Sequence, residues 1–169
     1  MEGTTHIEDF LSVPSYLYEY YSKNIDWDKS MRSRYTSSFG KPYNYSEKEY
    51  LGRPFHYGME TMSLFISEKF FKPNNCLLNY YLDGSSKMGY HSDQIDILEK
   101  DTGIIIISIG ETRELKFRNI INPEIIKTFT LKSGSLFYMN QEVQKEWMHC
   151  IPKSDTKNGR ISLTFRQIK

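Results

Sequence analysis

The sequence predicts a mainly β, α+β protein: a β-sandwich with N-terminal helices packed on one sheet. Two observations carry that expectation. From Cys76 to Arg166, strand-sized runs follow one another, broken by turn chemistry at Asp83-Gly84, Asn122-Pro123, Ser133-Gly134 and Asn158-Gly159. Helical periodicity is confined to the part before Pro73. Many short strands that follow helices suit two packed sheets. A length of 169 residues fits one domain, 1–169, with a real core.

Ser12-Val13-Pro14 predicts a helix start, with Ser12 as N-cap and Pro14 in the first turn, running to about Tyr21. Trp27–Tyr50 has no sustained helical period and reads as hairpin-like or looping, with a turn at Gly40-Lys41-Pro42. Met59, Met62, Phe65, Ile66 and Phe70 share one helical face, and Pro73 stops that helix. The expected strands are Cys76–Leu82, Gly103–Ile109, Leu115–Arg118, Ile125–Leu131, Ser135–Asn140, Trp147–Ile151 and Arg160–Arg166.

The net charge is +1, which favours no polyanion partner globally. Locally, Lys29–Arg53 holds Lys29, Arg32, Arg34, Lys41, Lys48 and Arg53 against Glu47 and Glu49. Such a run is either a solvated loop or a phosphate contact. No apolar run approaches the roughly 20 residues of a membrane span. MEGTTHIEDF does not read as a secretory signal, and two cysteines are too few for a disulfide framework. A cytoplasmic monomer with free thiols and no membrane association is expected.

The chemistry centres on His91-Ser92-Asp93. On an extended segment, residues two apart leave the same face. Imidazole and carboxylate side by side are two members of a facial triad for non-haem Fe(II). At the other end of the chain, Arg160 and Arg166 are six apart and so share one strand face with Ser162 and Thr164. Ile161, Leu163 and Phe165 take the opposite face. Two inward arginines on a core strand are costly unless an anion meets them.

Together these motifs resemble the AlkB family of Fe(II)- and 2-oxoglutarate-dependent dioxygenases. The resemblance runs from about Arg32 to the end. It rests on Asn79-Tyr80-Tyr81-Leu82-Asp83-Gly84, His91-Ser92-Asp93, His149 and Arg160-Ile-Ser-Leu-Thr-Phe-Arg166. It implies a double-stranded β-helix, or jelly roll. Fe(II), 2-oxoglutarate and O2 are the implied cofactors. His91, Asp93 and His149 are the implied metal ligands and catalytic residues. His149 is favoured as third ligand because His6 is expected in an unstructured terminus and His56 near a lid.

For the cosubstrate, the resemblance implies that Arg160 meets the far carboxylate of 2-oxoglutarate. Arg166 lies near the metal-bound carboxylate, and Asn79 and Tyr81 donate hydrogen bonds. Ser162 stands where the family usually has Asn, and a hydroxyl offers fewer donors than an amide.

The Arg32–Ser46 stretch resembles the family's nucleotide-recognition lid, at about residues 30–50. This makes Arg32, Arg34, Phe39, Tyr43 and Tyr45 candidate substrate contacts: basic groups for phosphates, aromatic rings for a flipped base. Ile95 and Asp96 fall where the family commonly carries acidic base-reading residues, and Ile95 cannot hydrogen-bond a base. The expected activity is therefore oxidative demethylation of N-alkylated bases in nucleic acid, single-stranded by preference, as in AlkB-like repair of DNA damage. The alternative is an oxygenase for a small molecule or a peptide.

Overall fold

Strand pairing splits the chain into two antiparallel sheets that face each other across the interior. The computed structural model describes residues 1–42 and 51–169. In chain order the elements are β1 (Thr4–Ile7), α1 (Pro14–Asn24), β2 (Tyr35–Gly40), α2 (Met59–Lys69), β3 (Asn75–Tyr81), β4 (Met88–His91) and β5 (Gly103–Gly110). There follow β6 (Arg113–Asn119), β7 (Ile126–Leu131), β8 (Leu136–Asn140), α3 (Gln141–Glu146), β9 (Trp147–Ile151) and β10 (Arg160–Arg166). One sheet has the order β1-β8-β5-β10-β3-β2 and the other β4-β9-β6-β7. This is the expected jelly-roll sandwich, with the N-terminal helices against the larger sheet.

Two cores follow from strand alternation. On the helix-covered face of the larger sheet, Ile161, Leu163 and Phe165 of β10 lie beside Ile109, Ile107 and Ile105 of β5. They pack with Leu17 and Tyr21 of α1 and Met59, Met62 and Ile66 of α2. Between the sheets, Ile104, Phe137 and Met139 meet Leu115, Phe117 and Ile151. β10 is central to the larger sheet, paired with β3 on one side and β5 on the other. Its seven residues are all buried.

Several local expectations need correction. Ser12 is not the cap of α1: Val13 occupies that position without a side-chain bond, and Pro14 supplies the start through its preset φ. The helix also runs past Tyr21 to Asn24. The looping reading of Trp27–Tyr50 misses β2, which gains its order by pairing with β3 from Tyr35↔Tyr80 to Gly40↔Asn75. His6 does not lie in an unstructured terminus. It sits in β1, opposite Phe137, because β8 offers the N-terminal segment an edge to pair with. α3 was also missed, although Asn140 caps it by accepting from the Val143 N–H at 3.1 Å.

The turn after β3 needs Gly84. A Cβ there would collide with the Ser154 carbonyl. The close approach allows two backbone bonds, Gly84 N–H to the Thr156 carbonyl at 2.8 Å and Ser154 N–H to the Gly84 carbonyl at 2.9 Å. They tie the β3–β4 connection to the segment that enters β10. Among the described residues, no helix is long and apolar enough to cross a membrane. Cys76 and Cys150 are both buried and unpaired.

Leu163 faces the helix-side core and points away from the interior cavity. Leu163→Ala should cost about 2–5 kcal/mol of unfolding free energy by urea titration, while leaving ligand binding at the cavity intact in the folded protein.

Candidate active site

A cavity of about 480 Å³ opens between the sheets. Its larger-sheet wall is the polar face of β10 and β3: Arg160, Ser162, Thr164 and Arg166 with Leu77, Asn79 and Tyr81. The register explains this grouping, since Arg160 pairs with Tyr81, Ser162 with Asn79 and Thr164 with Leu77. The opposite wall carries His91, Asp93 and His149. So the same alternation that buries Leu163 among helices turns the arginines inward.

His91 ends β4 and lies directly across from His149 of β9. Their rings are 4.4 Å apart between centroids. Asp93 follows just beyond the strand end, with Oδ1 3.5 Å from His91 Nε2. One potential ligand atom from each of the three residues lies within 4.8 Å of the others. His91 Nδ1 lies 2.8 Å from the Gly89 carbonyl and donates to it, which leaves Nε2 as the nitrogen that faces the cluster. The Asp93 N–H donates to Gln144 Oε1 at 2.8 Å, which orients the carboxylate from the α3 side.

The electrostatics suit a cation here. Burial works to raise the Asp93 pKa. Arg166, His91 and His149 outweigh it and hold the carboxyl well below the usual range. Burial pushes His149 down to about 4 against the pull of Asp93, so its imidazole stays neutral and able to ligate. Burial also opposes protonation of His91, but there the Asp93 carboxylate wins and the pKa rises. Two imidazoles and one carboxylate are the donor set of a non-haem Fe(II) facial triad.

Arg166 finds its anion within the chain: its Nη2 donates to Asp93 Oδ2 at 3.2 Å. Arg160 differs. It is 1% exposed. Its Nη2 donates to Ser108 Oγ at 2.8 Å, and its Nε and Nη1 have no hydrogen-bond partner among the described residues. Burial lowers its pKa to about 10, so it remains charged at neutral pH. A buried guanidinium with two unmatched N–H-bearing nitrogens fits a carboxylate. The cavity's residues therefore fit both Fe(II) and 2-oxoglutarate.

The substrate candidates separate. Arg34 lines the cavity and Arg32 is exposed outside it. Phe39 is buried on the helix-covered face, opposite Cys76 in the β2–β3 register, with the Arg53 guanidinium 3.9 Å from its ring centroid. It is a core residue by alternation and does not reach the cavity. Tyr43 and Tyr45 lie outside the described residues. Ile95 packs against the inter-sheet core, and the Asp96 carbonyl accepts from Lys169 Nζ at 2.6 Å. Neither lines the cavity; Gln94 does.

Sequence reasoning missed Ser108, Gln144 and Arg113. Arg113 is buried at 3% exposure. It donates to the carbonyls of Asp83, Ser86 and Pro152 at 3.2, 2.8 and 2.5 Å, tying the β3–β4 connection to the chain after β9. Ser108 had a signal, being the single polar residue inside the run Ile104–Ile109. Arg113 and Gln144 had none, since their partners are distant in sequence.

The family model described as 2OG-Fe(II) oxygenase superfamily matches residues 12–166, starting ahead of Arg32. The chain belongs to that superfamily, whose chemistry uses Fe(II) and 2-oxoglutarate. Among curated proteins, it is similar to alpha-ketoglutarate-dependent dioxygenase alkB homolog 3 of Mus musculus, 28% identical over 180 residues, covering 94% of this chain and 63% of that protein. The Homo sapiens protein of the same name is 30% identical over 147 residues, covering 80% and 51%. DNA oxidative demethylase ALKBH2 of Homo sapiens is 31% identical over 103 residues, covering 56% and 40%. The chain thus spans less than two thirds of the length of each of these relatives. The solved structure of OsALKBH1 superposes with a TM-score of 0.71 over 99% of both chains at 17% identity, a likeness of fold.

Two outcomes follow. Arg113→Ala strips one buried and two part-buried carbonyls of their donor and should lower unfolding free energy by about 3–5 kcal/mol in denaturant titration. In the metal-free protein, His149 binds its proton more weakly folded (about 4) than unfolded (6.5). The unfolded state therefore takes up the proton first, and stability contributed by neutral His149 is lost as pH falls from 6.5 to 4. His149→Asn should flatten that part of the stability–pH curve measured by thermal unfolding.

Proposed function

We propose that the chain is an Fe(II)- and 2-oxoglutarate-dependent dioxygenase that oxidatively demethylates N-alkylated bases in nucleic acid, single strands above all. The observation that carries the chemistry is the juxtaposition of the His91–Asp93–His149 cluster with buried Arg160 across one cavity. In this reading residues 1–169 form one dioxygenase domain, monomeric and cytoplasmic, with a lid-like segment at about 30–50.

His91, Asp93 and His149 hold the metal on one side and leave its other side to the cavity. Bound Fe(II) with 2-oxoglutarate and O2 supplies the oxidation, with the cosubstrate leaving as succinate and CO2. Arg160 binds the far carboxylate of the cosubstrate. Asn79 and Tyr81 donate to the same molecule from the next strand, and Ser162 contributes at most a hydroxyl. Arg166 holds Asp93 ionised and aimed. Apolar Leu77, Ile106, Leu115 and Ile151 line the same cavity and limit water around the reacting centre.

The substrate part rests on the relatives named as a DNA demethylase and as alkB homologues, and on basic Arg34 in the cavity lining with exposed Arg32 two residues before it. Unpaired bases avoid the cost of flipping, which suits a protein of net charge +1. Ile95 supports the second reading, an oxygenase for a small molecule or peptide: it leaves the stretch after His91-Ser92-Asp93 with less base-reading capacity.

His91→Ala, Asp93→Ala and His149→Ala should each abolish 2-oxoglutarate turnover; a fully active His149→Ala would remove the triad. Arg160→Ala should raise the 2-oxoglutarate KM on the scale of about 3–5 kcal/mol, and Arg160→Lys should not restore it, lacking the bidentate fork. Mass spectrometry of methylated single- and double-stranded DNA and RNA oligonucleotides decides the substrate. Demethylation of single strands is expected. Consumption of 2-oxoglutarate with no oligonucleotide product would favour the second reading.

A further inference from the structure

Arg34 was expected to meet nucleic-acid phosphate, but its nearest mapped partner is inside the site. Its Nε donates to Asn79 Oδ1 at 2.7 Å, and its Nη1 to Ser33 Oγ at 3.2 Å. Asn79 is 3% exposed and lines the cavity beside Ser162.

The chemistry of the two groups fixes the amide. A carboxamide can be turned either way, with oxygen or nitrogen toward a given neighbour. In the strand register the flanking residues are Ser162 and Thr36, whose hydroxyls both donate and accept. They are compatible with either turn. A guanidinium has only donors, so the Asn79 atom that faces Arg34 must be the oxygen. The amide N–H2 is then the end left for the cavity, the polarity a dianionic ligand needs.

We infer that Arg34 is a positioning residue for the cosubstrate: it locks the Asn79 amide so that its N–H donors face 2-oxoglutarate. This rests on the proposed dioxygenase reading, in which that cavity takes 2-oxoglutarate and Asn79 contacts it. Arg34 touches neither metal nor cosubstrate in this role and works through Asn79.

The two residues should therefore behave as one unit. The test is calorimetric titration of 2-oxoglutarate into the folded protein loaded with Mn(II), which reads binding without turnover. Asn79→Ala, Arg34→Ala and the double variant should each weaken binding by about tenfold, with the double variant no worse than Asn79→Ala. Arg34→Lys, still donor-only, should stay within about threefold of the parent. Asn79→Asp keeps an acceptor for Arg34 but no donor for the cavity, and should bind as weakly as Asn79→Ala. In steady state, Arg34→Ala should raise the 2-oxoglutarate KM more than it lowers kcat.

Multiplying effects in the double variant would overturn the inference. So would an Arg34→Ala that loses single-stranded oligonucleotide affinity and salt dependence while binding 2-oxoglutarate like the parent. Arg160→Ala separates the two levels. If it abolishes binding while Arg34 and Asn79 act independently, only the positioning role falls. If the parent does not bind 2-oxoglutarate, or Arg160→Ala binds it unchanged, the dioxygenase reading falls too.

Discussion

The Asp93–Arg166 ion pair joins the two sheets at the point where chemistry is expected. Arg166 ends β10 of the larger sheet, and Asp93 follows β4 of the smaller one. Their side chains are 4% and 9% exposed, so each charge has given up most of its water. Such a pair is poor as a source of stability and strict about geometry. It keeps the carboxylate ionised and aimed beside His91 and His149. The metal cluster thus depends on a strand of the opposite sheet as well as on its own.

The second arginine of β10 shows the complementary design. Arg160 is buried with a single mapped hydrogen bond, to Ser108. A buried guanidinium with unmatched donors suits an anionic ligand that completes the set. One strand therefore carries an arginine that meets a carboxylate of the chain, Arg166 on Asp93, and a second, Arg160, whose mapped bond is to a neutral hydroxyl. The six-residue spacing puts both on the same face of β10, toward one cavity. Arg34 and Asn79 extend the same wall by one more strand.

The wall facing prospective substrate is less completely built from the described residues. Phe39 belongs to the helix-side core, and Ile95 to the inter-sheet core. Arg34, Tyr90, Ser92 and Gln94 are polar residues that line the cavity outside the His91–Asp93–His149 cluster and the β3–β10 wall. In the proposed reading Gln94 stays a candidate contact for substrate, with Tyr43 and Tyr45 as further candidates.

What the sequence determined by itself was whatever depends on spacing within one strand. Two-residue alternation placed Arg160, Ser162, Thr164 and Arg166 on one face and Ile161, Leu163 and Phe165 on the other. The two-residue spacing kept His91 and Asp93 close even though Asp93 lies just past the end of β4, and turn residues located most strand ends. Tertiary structure decided everything that needed a partner distant in the chain. β1 and β2 are strands because β8 and β3 offered them edges, and their own residues carry little strand signal. Phe39 faces the core because its register opposite Cys76 put it there, although its neighbours in sequence suggested a lid. His149 meets His91 only through the β4–β9 pairing, and Arg166 meets Asp93 only across the sandwich. Local spacing sets which face a side chain takes; which residue waits opposite is set by non-local pairing, and no short window of sequence contains it.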